Sequence, residues 1–150
     1  MNFRTAILTI SDRGARGERQ DLSGPRLQEI LAARPAFVLA ATAIVSDEPA
    51  EISDRLRRWA DDEGFSLILT TGGTGFSPRD LAPEATAAVI ERPAPGFAEA
   101  MRAASLRITP HAMISRALAG IRGSCLIVNL PGSPKAAGEC LDVILPALPH

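Results

Sequence analysis

Phe65-Ser66-Leu67-Ile68-Leu69-Thr70-Thr71-Gly72-Gly73-Thr74-Gly75 decides the fold. Phe65 to Thr71 is apolar or β-branched with one interruption, which marks a strand buried on both faces, and it runs straight into a glycine loop. A strand of that kind needs helices above and below it, and the flanking sequence offers them. Thr5 to Ile10 and Phe37 to Val45 are two more near-continuous apolar runs. Between them Leu22, Leu27, Ile30 and Leu31 recur at helical spacing from Asp21 to Ala33, after the capping residues Asp21 and Ser23 and before Pro35. Ile52, Leu56 and Trp59 share one face of a helix over Pro49 to Asp62 that Gly64 stops, with Trp59 as a core anchor. Downstream, helices are expected over Pro83 to Glu91 and over Phe97 to Ser105, the latter behind the breaker Pro93-Ala94-Pro95-Gly96. Ala117 to Ile121 and Cys125 to Leu130, joined through Arg122-Gly123-Ser124, read as a hairpin, and a last helix follows Pro134 to about Leu145.

The expected fold is therefore α/β, with a mostly parallel sheet between helical layers and one antiparallel strand from the late hairpin. With 150 residues, 46% hydrophobic and 22% charged, the chain reads as one compact domain, residues 1–150. Sixteen Lys plus Arg against 17 Asp plus Glu leave a net charge of −1, which argues against nucleic acid and anionic membrane surfaces as partners. The longest apolar stretch, Phe37 to Val45, is far short of the roughly 20 residues that cross a bilayer. The first residues read as a strand and not as a secretion signal, so a cytoplasmic location is expected. Two cysteines, Cys125 and Cys140, are too few for a disulfide framework or a four-ligand metal site and read as reduced core residues.

In an open α/β sheet, ligands bind beyond the carboxyl ends of the parallel strands. The unusual residues of this chain fall there: Ser11-Asp12 after the first strand, Ser46-Asp47 after the second, Gly72 to Gly75 with Asp80 after the third, and Pro131-Gly132-Ser133 after the last. For these four segments to share a rim, Cys125 to Leu130 must run parallel to the first three strands. Gly72-Gly73-Thr74-Gly75 fits neither the dinucleotide fingerprint nor the P-loop, but its bare backbone lets N–H groups approach a phosphate or a flat heterocycle. Ser133 and Pro134 are a natural helix start, and Lys135 is the single lysine among 16 cations. In a first turn its charge opposes the helix dipole, a conflict that a bound phosphate would relieve. Asp47 and Asp80 are hard oxygen ligands suited to Mg²⁺ carried by a nucleotide, although helix capping and loop closure would also explain them. His111 and Ser115, four apart, would face the same way on a helix, but no third member of a catalytic triad is evident. Ser115-Arg116 reads better as a substrate-contacting pair.

Leu67 to Asp80, continuing to Pro83-Glu84-Ala85-Thr86, resembles the signature of the MogA/MoaB family of molybdenum-cofactor biosynthesis proteins. Ser11-Asp12 with Asp21 and Ser23-Gly24, Ser46-Asp47-Glu48, Ser115-Arg116 and Asn129 to Lys135 extend the likeness over nearly the whole chain in the family's order. The resemblance implies a three-layer α/β/α sandwich with a mixed sheet, assembled as a trimer or a dimer of trimers, that binds molybdopterin. It implies an adenylyltransferase, joining the terminal phosphate of molybdopterin to AMP from Mg-ATP and releasing pyrophosphate. Asp47 and Asp80 match the family's essential acids, as catalytic residues and Mg²⁺ ligands. Ser11, Asp12, Gly72, Gly73, Thr74, Gly75, Ser115, Arg116, Pro131, Gly132 and Ser133 would bind substrate, with Lys135 as a phosphate partner. A metal-inserting protein is the expected macromolecular partner. The chain stops at Leu148-Pro149-His150, sooner than many relatives, so trimer packing or docking of the last helix is expected to differ. Two other readings stand beside the enzyme: a non-catalytic pterin-binding or scaffold paralogue, and a hydrolase of a nucleotide-containing metabolite.

Overall fold

A computed structural model describes all of residues 1–150. Six strands form one sheet in the order β2-β1-β3-β6-β5-β4. β1 (Phe3–Ile10), β2 (Phe37–Val45), β3 (Leu67–Thr71) and β6 (Cys125–Leu130) are mutually parallel, and β5 (Ala119–Arg122) runs against β6. Arg122 pairs with Cys125 across the two-residue turn Gly123-Ser124, the hairpin expected from the sequence. The condition for a shared rim is met, since β6 points the same way as β1 to β3.

The period-two geometry of a strand explains why these runs are apolar throughout. Ile7, Leu67, Leu69, Val128 and Leu130 point to one face, where α2 (Ser23–Ala32), α5 (Pro95–Leu106) and α6 (Pro134–Ile144) cover them with Leu27, Leu31, Met101, Leu141 and Ile144. Ala6, Leu8, Ile10, Ile68 and Ile127 point to the other, under α3 (Pro49–Arg57) and α4 (Ala82–Ala87), with Ile52, Leu56 and Trp59 in the contact. Trp59 is a core anchor as expected, edge-on to Phe65 at 5.6 Å between ring centroids. Both cysteines are free and buried, and burial pushes the Cys125 thiol up to about 12, which makes it inert at neutral pH.

Four details depart from the sequence reading. Asp12 to Ala15 is a single helical turn, α1, instead of open loop, because the Ser11 hydroxyl caps it by accepting from Gly14 N–H at 3.0 Å. The helix from Pro49 widens into a π turn over Arg58–Asp62. The breaker before α5 contributes Arg92–Pro93 as a two-residue edge strand, β4, antiparallel to β5 and hence codirectional with the other four, so β5 is still the one reversed strand. Pro110–Ile114 is a 3₁₀ helix that ends before Ser115, so His111 and Ser115 are not one α-turn apart on a common face.

Candidate active site

The carboxyl ends of β1, β2, β3 and β6 enclose a polar cleft of about 360 Å³. Its floor is built from glycine. Gly72 has φ +102° and Gly73 φ +68°, backbone that side chains resist, and a Cβ on Gly72 would sit on the Ile10 carbonyl oxygen. A Cβ on Gly132 would lie 3.3 Å from the Gly72 Cα, so the β6 loop packs this closely on the β3 loop with little room for a side chain at Gly132. Gly72 N–H donates to the Leu130 carbonyl at 3.2 Å, while Gly73 N–H has no acceptor within the chain and is free for a ligand. The Thr71 hydroxyl reaches the Pro131 carbonyl at 2.6 Å, and the Ser23 hydroxyl reaches the Gly132 carbonyl at 2.5 Å. Of the two expected capping residues, Asp21 holds the entry to α2, accepting from Gly24 N–H at 3.0 Å and from the Thr9 hydroxyl at 2.9 Å, whereas Ser23 is the first helical residue and spends its hydroxyl on Gly132.

The acids gather at the β1 and β2 ends. Asp12 N–H donates to Asp47 Oδ2 at 2.8 Å, and Asp47 N–H donates to Asp12 Oδ1 at 3.0 Å, a reciprocal lock between neighbouring strands. Arg79 then grips Asp12 through both carboxylate oxygens, at 2.7 and 2.9 Å, and lies 3.7 Å from Glu48. Hydrogen bonding from Arg79, aided by Asp47 N–H, lowers the Asp12 carboxyl to about 2. Asp47 moves upward instead, chiefly through burial and further through the charges of Asp12 and Asp80, against the lowering effect of the Asp12 N–H bond. Asp80 closes its own turn, its carboxylate accepting from Ser77 N–H at 3.0 Å.

Seven of the sequence-singled residues line the cleft: Ser11, Asp47, Gly72, Gly73, Asp80, Gly132 and Ser133. Asp12, Thr74, Gly75 and Arg116 stand behind it. Arg116 braces the glycine loop, its backbone N–H donating to Thr74 O at 2.9 Å and its guanidinium to Gly75 O at 2.9 Å, to the Asp80 carbonyl and to Glu84. Ser115 and Pro131 line a separate, mainly apolar cavity of about 180 Å³ between α5, the 3₁₀ helix and α6, which also holds His111. Lys135 points outward with 83% of its side chain exposed, 4.0 Å from Glu139. Arg79 falls inside the signature stretch, but its grip on Asp12 carried no signal in the sequence, and Arg19, which lines the cleft, carries no motif at all.

No three His, Cys, Asp or Glu side chains converge tightly enough to cage a metal ion. Asp47 and Asp80 both face the cleft, and the Asp80 charge is among the influences that raise Asp47. One or two carboxylates, with the remaining sites left to waters and phosphate oxygens, is the donor set that Mg²⁺ accepts in phosphate chemistry. The residues present therefore fit a cation that arrives with a nucleotide.

A family model described as a probable molybdopterin binding domain matches residues 6–150. The molybdopterin adenylyltransferase of Helicobacter pylori is 44% identical over 96% of this chain and 82% of its own length, and that of Escherichia coli K12 is 44% identical over 93% and 72%. Among solved structures, the molybdopterin biosynthesis enzyme MoaB of a Thermus species superposes with a TM-score of 0.93 at 56% identity, covering 99% of this chain and 92% of that one. The tungsten cofactor synthesizing protein MoaB of Pyrococcus furiosus superposes at 0.88 and 34% identity, covering 99% and 94%. With a family model spanning nearly all of its length and solved relatives that superpose over 99% of it, the chain belongs to the MogA/MoaB family of molybdenum-cofactor biosynthesis proteins.

Proposed function

We propose that residues 1–150 act as one unit that adenylylates molybdopterin with Mg-ATP. An oxygen of the pterin's terminal phosphate attacks the α-phosphorus of ATP, the bond from that phosphorus to the bridging oxygen breaks, and pyrophosphate leaves. The observation that carries this reading is the pair of carboxylates, Asp47 and Asp80, on one glycine-floored cleft. Transfer between phosphates is catalysed by positioning and by neutralising charge, and a site with these acids, bare backbone and no histidine is built for that. Bound Mg²⁺ would supply electrostatic stabilisation of the phosphate oxygens. Asp47 and Asp80 would hold that cation, and Gly73 N–H would donate to a phosphate oxygen. Ser11 and Ser133 line the same space and would orient the substrates. Arg79 grips Asp12, whose N–H donates to Asp47, and Arg116 donates to the Asp80 carbonyl, so the two arginines would position the acids indirectly.

The same reading places the protein in the cytoplasm as a trimer, which would cover exposed apolar side chains such as Ile108 and Met113, 59% and 69% accessible. It hands its product to a metal-inserting protein. Pyrophosphate release measured with Mg-ATP, with and without molybdopterin, tests the proposal. Release that requires molybdopterin and matches adenylyl-molybdopterin mole for mole is expected. Saturable pterin binding without turnover would leave a scaffold paralogue, and nucleotide consumption without a pterin would leave a hydrolase.

A further inference from the structure

A cleft for two phosphate-bearing substrates should carry cations, and this one has a single cation on its wall, Arg19. Four neighbouring cations are engaged or directed elsewhere, and Arg13 does not line the cleft. Arg79 is committed to Asp12, Arg116 to Glu84 and Arg16 to Glu18 at 3.0 Å, while Lys135 turns out toward solvent beside Glu139. Arg19 has no carboxylate within 4.0 Å and makes no side-chain hydrogen bond. It sits on the exposed segment that leads into Ser23, whose hydroxyl ties that segment to Gly132 at the far end of the glycine floor from Asp47. The cleft is thus lined by three carboxylates, Asp21, Asp47 and Asp80, and by one cation, Arg19, that none of them has claimed; Asp21 is spent on the Thr9 hydroxyl and Gly24 N–H.

The two substrates differ in what they bring. A nucleoside triphosphate arrives with its divalent cation and is matched to the carboxylates. A phosphomonoester such as the terminal phosphate of molybdopterin arrives as a bare anion, in a cleft whose acids repel it, and needs charge from the protein. Resting on the adenylylation reading, we infer that Arg19 grips the terminal phosphate of molybdopterin and sets the attacking oxygen against the nucleotide held at Asp47 and Asp80. A planar guanidinium donates to two phosphate oxygens at once, which fixes direction as well as position.

The test is anaerobic equilibrium binding of molybdopterin, without nucleotide, to wild type, Arg19→Ala and Arg19→Lys, followed by steady-state KM values for molybdopterin and for Mg-ATP. Arg19→Ala should weaken pterin binding by about three- to tenfold, the effect of one charge-assisted contact in a solvated cleft. The loss should appear in the KM for molybdopterin and spare the KM for Mg-ATP, and Arg19→Lys should recover part of it. Binding by wild type should weaken with added salt more steeply than binding by Arg19→Ala. Arg19 is exposed and its side chain makes no hydrogen bond or ion pair, so an unchanged Tm is expected and verifies that the variants are folded. Wild type that binds the pterin and Arg19→Ala that binds it equally well would overturn this assignment alone, as would a loss confined to Mg-ATP. Wild type that binds no molybdopterin would overturn the adenylylation reading and the assignment together.

Discussion

Ser11-Asp12 ends β1 and Ser46-Asp47 ends β2, the same dipeptide at the tips of neighbouring parallel strands, and each aspartate accepts the other's backbone N–H. Their surroundings then drive them apart. Asp12 is held by the Arg79 fork and drops to about 2, whereas Asp47 is half-buried, faces two other carboxylates and rises. Ser11 caps the turn of α1, while the Ser46 hydroxyl is taken by Glu51. One acid is committed to holding the rim together, and the other is kept in an environment that a cation would improve. Identical residues in reciprocal geometry acquire different chemistry, one from the Arg79 guanidinium and the other chiefly from burial.

Asp47→Asn should break the comparison hardest. Removing this carboxylate should cut adenylyl transfer by about a hundredfold or more, measured as pyrophosphate release, because the cation would lose a ligand worth several kcal/mol in the transition state. Gly72→Ala attacks the shared floor from the β1 side, where the new methyl meets the Ile10 carbonyl just before Ser11. With φ at +102° this should cost about 1–3 kcal/mol in denaturant unfolding and displace Asp12 more than Asp47. Arg79→Met would make the two acids alike by freeing Asp12. Activity should fall by about tenfold, the scale of a misplaced supporting group, and Arg79→Lys should restore part of it.

The smallest effect is the pH dependence of stability, and its sign differs between the two acids. Asp12 lies below its ordinary 3.8 in the folded protein, so its contribution favours folding above that value and disappears as pH falls toward about 2. Asp47 lies above its ordinary 3.8, so it favours folding while protonated and disfavours it once pH rises through its folded value. Melting curves from pH 2 to 7 should show Asp12→Asn less stable than wild type near neutrality, with the gap closing in acid. Asp47→Asn should be slightly more stable near neutrality, with that gain also vanishing in acid.

The architecture was legible because the strands are buried on both faces, and that burial leaves unbroken apolar runs such as Leu67-Ile68-Leu69. β4 was hidden, since two residues held only by pairing to β5 carry no periodicity, and Pro93 reads as a breaker. The rim was legible because glycine and aspartate at strand ends are chemically conspicuous. The braces were not. Arg79 and Arg116 stand 67 and 32 residues from the acids they grip, and such pairing exists only after folding. Asn129 carried no signal of its own either, yet it is fully buried and donates to the Thr70 and Thr86 hydroxyls, both at 2.9 Å, tying β6 to β3 and α4. Ser115, Pro131 and Lys135 matched substrate-binding positions by motif, but the fold turns Ser115 and Pro131 into a separate apolar cavity and Lys135 out to solvent, which no local pattern reveals.

The most direct test of the account is adenylyl-molybdopterin formed from Mg-ATP by wild type and by Asp47→Asn, with Tm recorded on the same samples at pH 7. The account predicts product from wild type, near-complete loss in the variant, and a variant Tm equal to or above wild type. Product from Asp47→Asn at the wild-type rate would contradict it, because the reaction would then not use the acid that the cleft keeps free.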